Sequence, residues 1–436
     1  MHCIRFQCNK LILISYTHSK PLQHYSNSSQ HNNIHNNVTI SLLDREYPVD
    51  NLTTITPTIL SKVDRHLHNQ YQHPIEIIKR RIVSYFSHKW VDSNGDPLFK
   101  SFDNFSPVVS LEQNFDSLRV PLDHVTRSKS DNYYINNQFM LRAHTSAHQR
   151  DTIALGHSQF LVTGDVYRRD EIDTKHYPVF HQMEGVELFT NEELFGNEQG
   201  SLFDPLKEET EEKQAEHSLE TVLAIEKNLK YKLESLMQHL FGNNLQMRWS
   251  GTYFPFTHPS YELEIYWNDK WLEVLGSGVM RQHILVAGGK GSKAGYAFGL
   301  GLERLAMILF GIPDIRLFWS KDRRFIDQFI NLQENSSLNY KPFSLQPPAM
   351  RDMSFWINNG EFEMNDFHEI VRDEGEEWIE NVELLDEYQS PETRRKSLCF
   401  RITYRCMERT LLGEEIQELH TRITDRLQKE MSVSIR

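Results

Sequence analysis

Residues Gly295–Ile312, GYAFGLGLERLAMILFGI, leave little freedom for the fold around them. Small residues that allow close backbone packing run up to Gly301, and then Leu302, Leu305, Ala306 and Leu309 recur at helical spacing. A strand must therefore turn directly into a helix whose apolar stripe packs inward, and Pro313 marks the break after it. Gly299 and Gly301 stand just ahead of Glu303 and Arg304. Taken alone, such a junction is explained by packing more readily than by a site.

The segments around it follow the same two periods. HPIEIIKRRIVSYF, from His73, places Ile75, Ile78, Ile82, Val83 and Phe86 on one helical face and predicts that Lys79, Arg80 and Arg81 are exposed, with Pro74 suited to the first turn. A second helix is predicted from Leu219, Leu223, Ile225, Leu229, Leu233 and Leu236, stopped by Gly242. QFLVTGDVYRR, MRWSGTYFPF, YELEIYW and KWLEVLGSG mix apolar and polar residues as the strands of an antiparallel sheet that carries a site. The acidic first half of residues 192–220 reads as a solvated loop, and residues 331–348, with Pro342, Pro347 and Pro348, read as a linker. Beyond it RDMSFWI, NDFHEIVRD, VELLDEYQ, CFRITYRC and GEEIQELHTRITDRLQKEM give a β-α-β-β-α order that one short strand would complete as a ferredoxin-like sandwich.

Composition narrows the function classes. The 436 residues carry 47 Lys plus Arg against 60 Asp plus Glu, a net charge of -13, which argues against nucleic-acid binding through charge spread over the whole surface but leaves room for a local basic face. Cys3, Cys8, Cys399 and Cys406 are too few for a disulfide framework and lack a convincing zinc spacing. The first acidic residue is Asp44; the preceding 43 residues hold Arg5, Lys10 and Lys20 among Ser, Asn and His, which predicts an organelle presequence, mitochondrial import being favoured over a disordered cytosolic tail or a secretory signal centred on the four-residue run Leu11-Ile12-Leu13-Ile14. No apolar run approaches the roughly 20 residues needed to span a bilayer, so no membrane anchor is expected.

Chemistry enters with GDVYRRDEIDTKHYPVFHQMEGVELF. Arg168 and Arg169 precede Asp170, and Gln182 and Glu184 share a strand face; arginines neutralise phosphate charge, and a Gln-Glu pair can bind an amino group. Adjacent arginines alone are more often surface residues. Together with GYAFGLGLERLAMILFGI, however, this stretch resembles the phosphate-binding motifs of class II aminoacyl-tRNA synthetases, and the detail is similar to the single-chain mitochondrial phenylalanyl-tRNA synthetases. HPIEIIKRR, FDNFSPVVSLEQNFDSLRVPLDHVTR, NYYINNQFMLRAHTSAHQR, RWSGTYFPFTHPSYELEI and WLEVLGSGVM support the resemblance, which covers about residues 60 to 436.

The resemblance implies an α+β protein: residues 1–43 as presequence and tail, a class II antiparallel-sheet catalytic domain with flanking helices over 44–330, a linker over 331–348 and a ferredoxin-like anticodon-binding domain over 349–436. It implies ATP-dependent activation of L-phenylalanine, Mg²⁺, and transfer to the terminal 2′-OH of mitochondrial tRNA(Phe) by a monomer in the matrix, without an editing domain. Arg168 would meet the α-phosphate and activated carboxylate, and Arg304 the γ-phosphate. Asp170 stands where the family usually has glutamate, so a shorter side chain must reach the adenine side. Phe254 and Phe256 would contact the substrate ring, with Ala297 leaving room at the pocket floor; His144, Ser146, Gln182 and Glu184 would orient its amino and carboxylate groups. Glu273 would lie near ATP and magnesium, Gly276, Gly278, Gly299 and Gly301 would allow close approach of the nucleotide, and Arg401, Arg405 and Arg409 would face tRNA. Read without the resemblance, Phe254, Phe256 and Ala297 are ordinary core residues, His144 and Ser146 connect strands, Glu273 fits a salt bridge and the three arginines fit surface charge.

Overall fold

The computed structural model describes residues 38–196, 200–330, 332, 338–342, 346–358 and 362–436. Strands β1 (Thr39–Leu42) and β2 (Arg45–Pro48) form a hairpin, β3 (Lys100–Phe102) precedes the small pair β4 (Val108–Ser110) and β5 (Phe139–Leu141), and β6 (Gln159–Tyr167), β7 (Val179–Phe189), β8 (Met247–Thr252), β9 (Thr257–Trp267), β10 (Lys270–Met280) and β11 (Ala294–Gly301) follow. A seven-stranded sheet has the order β3-β6-β7-β11-β10-β9-β8. It is mixed, which corrects the antiparallel expectation: β3 pairs parallel with β6, and residues 103–158 supply the long crossover that a parallel pair requires.

The helix Pro74–Lys89 begins as its sequence predicts. Pro74 needs no amide donor, and the His73 ring accepts from the Ile75 amide at 3.2 Å. Ile75, Ile78, Ile82 and Phe86 are fully buried, each contributing about 1.5–3 kcal/mol relative to exposure. Arg81 departs from the prediction: it is buried, with its guanidinium 5.5 Å from the centre of the Phe310 ring. A long stem and a planar, weakly hydrated head let arginine pack in this way.

In the helix Leu219–Phe241, capped by Ser218 and closed at Gly242, the buried stripe includes Val222, Ile225, Leu229, Leu233, Leu236 and Leu240. Leu219 and Leu223 are exposed instead, because Leu223 falls about 100° round the axis from Val222. The helix Leu302–Phe310 continues β11 without a loop and buries Leu302, Leu305, Ala306 and Phe310; Leu309 is half-buried.

The expected 43-residue tail lies mostly outside the described residues, but its last part does not: β1 pairs with β2, and Leu42 joins the main core. Folded structure therefore begins by Thr39. The first half of residues 192–220, expected to be a solvated loop, opens instead with a short capped helix, Asn191–Phe195, and buries Leu202; in the second half Gln214 and His217 are fully buried as well. Part of the expected linker also lies outside the described residues; Leu338 and Tyr340 pack on the main core, with the Tyr340 amide donating to the Phe310 carbonyl.

The C-terminal part has the expected order: β12 (Ala349–Ile357), helix Met364–Gly375, β13 (Ile379–Gln389), β14 (Lys396–Tyr404), helix Gly413–Glu430 and β15 (Val433–Ile435). Its sheet, β13-β14-β12-β15, is antiparallel throughout. Phe400, Ile402 and Tyr404 face its core, as period-two alternation requires. Among the described residues no helix is long and apolar enough to cross a membrane.

Candidate active site

Register assembles the site. Glu184 on β7 stands opposite Gly299 on β11, Gly299 opposite Gly276 on β10, and Gly276 opposite Glu262 on β9. Gln182 pairs with Gly301, and Val186, Ala297, Gly278 and Ser260 form the next row. Side chains two apart share a face, so carboxylates rise at both ends of a floor made of small residues. A cavity of about 770 Å³ lies over it.

Its lining includes His144, Ser146, Arg168, Asp170, Gln182, Glu184, Phe254, Phe256, Glu273, Gly276, Ala297, Gly299, Gly301 and Arg304. Thus fourteen positions separated by up to 160 residues meet around one space. Gly278 does not line it: a Cβ there would meet Thr257 Cβ at 2.7 Å and the Pro259 carbonyl at 2.5 Å. Its smallness serves the sheet, because the Thr257–Pro259 stretch of the neighbouring β9 fills the space a Cβ would take where the β9–β10 register shifts.

At one end Phe254 and Phe256 stack with centroids 5.9 Å apart and planes 9° from parallel, while Ala297, 4% exposed, packs in the same apolar cluster as Phe256. A Cβ on Gly276 would approach the Phe254 ring to 2.8 Å, so glycine makes room for the aromatic wall. Beside it Ser146 donates to Glu184, and the Gln149 side chain also acts on that carboxylate. Burial pushes the Glu184 carboxyl up to about 7 against the Ser146 hydrogen bond that lowers it. The opposite holds at His144: burial, then the neighbouring Arg168 charge, depress it to about 3 and keep the ring neutral.

The polar end is built for anions. Arg168 is anchored through Nε to the Ala143 carbonyl at 2.7 Å and lies over the Phe180 ring at 5.2 Å. Burial lowers its pKa, yet guanidinium stays charged. Arg304 makes only loose contact with Glu273, 3.2 Å to its carbonyl and 3.8 Å to its carboxylate, and both side chains are about half exposed. The guanidinium therefore remains available to a ligand. Burial raises the Glu273 pKa, Arg304 opposes this, and the Glu262 and Glu264 charges raise it further. Glu262 and Glu273 both line the cavity, and carboxylate oxygens are the donor type that Mg²⁺ prefers.

Several lining residues escaped the sequence reading. Phe180 continues the period-two row of Gln182 and Glu184, a signal open to anyone extending the strand pattern backwards. His176 is another; its pKa is raised by the Asp173 hydrogen bond, and Glu171, Asp173 and His176 place ligand atoms within 4.8 Å of one another. His176 Nδ1 serves both carboxylates, at 2.9 and 3.5 Å, so the group is internally paired. Glu303 is buried and accepts from both the His181 amide (2.7 Å) and ring (2.6 Å), which ties the start of the Leu302–Phe310 helix to β7 and aims Arg304.

Comparison with known proteins places the chain in a family. The family model "tRNA synthetases class II core domain (F)" matches residues 60–215 and 217–329, and "Ferredoxin-fold anticodon binding domain" matches 344–436. The chain is 49% identical over 389 residues to the mitochondrial phenylalanine–tRNA ligase of Mus musculus, covering 88% of this chain and 86% of that one.

The chain belongs to the phenylalanine–tRNA ligase family of class II synthetases.

The mitochondrial ligase of Rattus norvegicus is 47% identical over 410 residues (88% and 87% covered), and the probable mitochondrial ligase of Drosophila melanogaster 47% over 411 (89% and 91%). Within this ligase fold the three arginines expected at tRNA are dispersed and paired. Arg401 forms a bidentate pair with Asp352 (2.8 Å each), Arg405 turns to Glu380 at the domain junction (2.8 Å), and Arg409 pairs with Glu415 (2.6 Å). A different cluster occupies the outer face of the C-terminal sheet. Tyr388, Ser397, Trp356 and Ser434 share one row across its four strands, with Arg436 5.4 and 5.7 Å from the centres of the Trp356 and Tyr388 rings and Arg395 5.3 Å from that of Trp356.

Proposed function

We propose that this chain is a mitochondrial phenylalanine–tRNA ligase that activates L-phenylalanine with ATP and transfers it to the terminal adenosine 2′-OH of tRNA(Phe). The observation that carries the reading is one cavity in which a stacked aromatic pair and a buried carboxylate face two arginines across a glycine floor. That arrangement fits an aromatic amino acid at one end and a polyphosphate at the other.

In this reading the substrate ring lies against Phe254 and Phe256 above Ala297, and the ammonium donates to Glu184 and Gln182 while Ser146 holds Glu184 in place. His144, kept neutral, orients the amino acid through hydrogen bonds and is not needed as a base, because the attacking carboxylate is already ionised near pH 7. Arg168 neutralises charge on the carboxylate and α-phosphate, and Arg304 at the γ-phosphate. Asp170 and the bare backbone at Gly276, Gly299 and Gly301 border the nucleotide. The carboxylate attacks the α-phosphorus, the bond to the bridging oxygen breaks, and pyrophosphate leaves. Charge compensation and alignment dominate the barrier. Glu273, with Glu262, would hold Mg²⁺, which supplies charge neutralisation to the leaving pyrophosphate.

The C-terminal domain would carry anticodon recognition, with Trp356 and Tyr388 offering faces for unstacked bases and Arg395 and Arg436 the local positive charge. Arg401, Arg405 and Arg409 would contribute only by exchanging carboxylate partners for RNA. The proposed active unit is a monomer. The test is ATP–pyrophosphate exchange with phenylalanine, tyrosine or leucine in the presence of Mg²⁺, followed by transfer to tRNA(Phe). Phenylalanine should support exchange best; folded protein without phenylalanine-dependent exchange would sink the assignment.

A further inference from the structure

Residues 168–178, the loop joining β6 to β7, line the phosphate side of the cavity through Arg168, Arg169, Asp170, Lys175, His176 and Tyr177. A loop of this kind must find partners for its backbone polar groups outside any sheet. Three of its carbonyls are satisfied by the C-terminal domain. Asn365 donates to the Arg169 carbonyl (3.3 Å), Arg372 to that of Asp170, and the Val382 amide to that of Ile172 (3.0 Å). The Ile172 side chain, 7% exposed, lies within the hydrophobic core of the C-terminal domain rather than that of the catalytic body.

Side chains reinforce the seam. Arg169 pairs with Asp366 at 2.7 Å, Tyr133 donates to Glu369 at 2.8 Å, and Arg372 holds the same Glu369 oxygen at 2.6 Å. Tyr177 donates to Glu377 at 2.5 Å, and Lys62 meets that oxygen at 2.8 Å. Within the catalytic body the loop's backbone is held at its base by the Arg168 amide on the Pro178 carbonyl, by the Arg169 amide on Asp131 and by the Ile315 amide on Thr174. The stretch from Asp170 to Ile172 is fixed from the other side.

We infer that the C-terminal domain is a working part of the ATP site, with Ile172 and Arg372 as positioning residues that hold the Arg168–Pro178 loop in its nucleotide-binding form. The inference rests on the proposed ligase reading. It follows that domain docking and ATP affinity are linked, and that amino-acid activation depends on the C-terminal domain even when no tRNA is present. Neither positioning side chain lines the cavity, so neither acts by touching ATP.

The experiment is tRNA-free ATP–pyrophosphate exchange by the full chain and its Ile172→Ala, Arg372→Lys and Ile172→Val variants, each checked by thermal melting. Lysine keeps the charge beside Glu369 but cannot span Glu369 and the Asp170 carbonyl in one planar fork. For Ile172→Ala and Arg372→Lys, the KM for ATP should rise at least about fivefold with the KM for phenylalanine unchanged, and Ile172→Val should restore it. An unchanged KM for ATP in a folded variant, or equal rises for both substrates, would overturn the inference. If Ile172→Ala does not fold, Arg372→Lys decides alone. Absence of phenylalanine-dependent exchange in the unsubstituted chain would instead remove the ligase reading itself.

Discussion

Glu184 shows how burial tunes a single residue. With its carboxyl pushed up to about 7, the free protein gains the full negative charge only above neutrality. An ammonium substrate requires the carboxylate form, so kcat/KM for phenylalanine should fall as pH drops below about 7, approaching tenfold per unit, while kcat changes less because the bound ammonium stabilises the charge. Steady-state pH profiles check this, and Glu184→Gln should abolish the limb. Arg304, loosely held by Glu273, should matter to chemistry more than to folding. Arg304→Ala is expected to lower activation about 10²–10³-fold with an unchanged melting temperature. Equal exchange rates would remove Arg304 from the phosphate site.

Among the elements, β10 and β11 contribute through what they lack. A methyl group at position 276 would reach the Phe254 ring, and the adjustable part is that ring rather than the strand. Gly276→Ala should therefore raise the KM for phenylalanine about tenfold while leaving thermal stability nearly intact; kinetics and melting on the same preparation separate the two. Periodicity made most elements legible in advance. The Pro74–Lys89 helix, the β11-to-helix junction and the C-terminal β-α-β-β-α order followed from 3.6- and 2-residue patterns. Arg81 and Leu223 did not, because burial depends on which face meets a neighbour, and a charged or apolar letter does not carry that information. The parallel pairing of β3 with β6 was equally hidden, since a three-residue strand has no pattern to read.

For the whole molecule, net charge was a poor guide to partner. The chain is acidic overall, yet it places Arg395 and Arg436 around the half-buried Trp356, beside the exposed Tyr388, on one sheet face. Local charge decides whether RNA can approach, because at physiological salt a field is screened within about 8 Å. The body begins by Thr39, so removal of residues 1–37 is the cleaner test of an N-terminal address. That deletion should prevent mitochondrial import while leaving phenylalanine-dependent exchange unchanged; import assays and exchange on the same deletion check both halves. By itself, the sequence determined the strand and helix periods and the family-specific motifs through which Arg168, Glu184, Phe254 and Arg304 are expected at a site, since each is written in short-range spacing or in a local motif. Only the tertiary structure decided that Glu184, Gly299, Gly276 and Glu262 form one row, that Gly278 stands outside the cavity, that the chosen arginines are already paired, and that a loop of the catalytic site anchors Ile172 in the other domain's core. These depend on register and docking between residues far apart in the chain, whose energies arise only once the elements have packed.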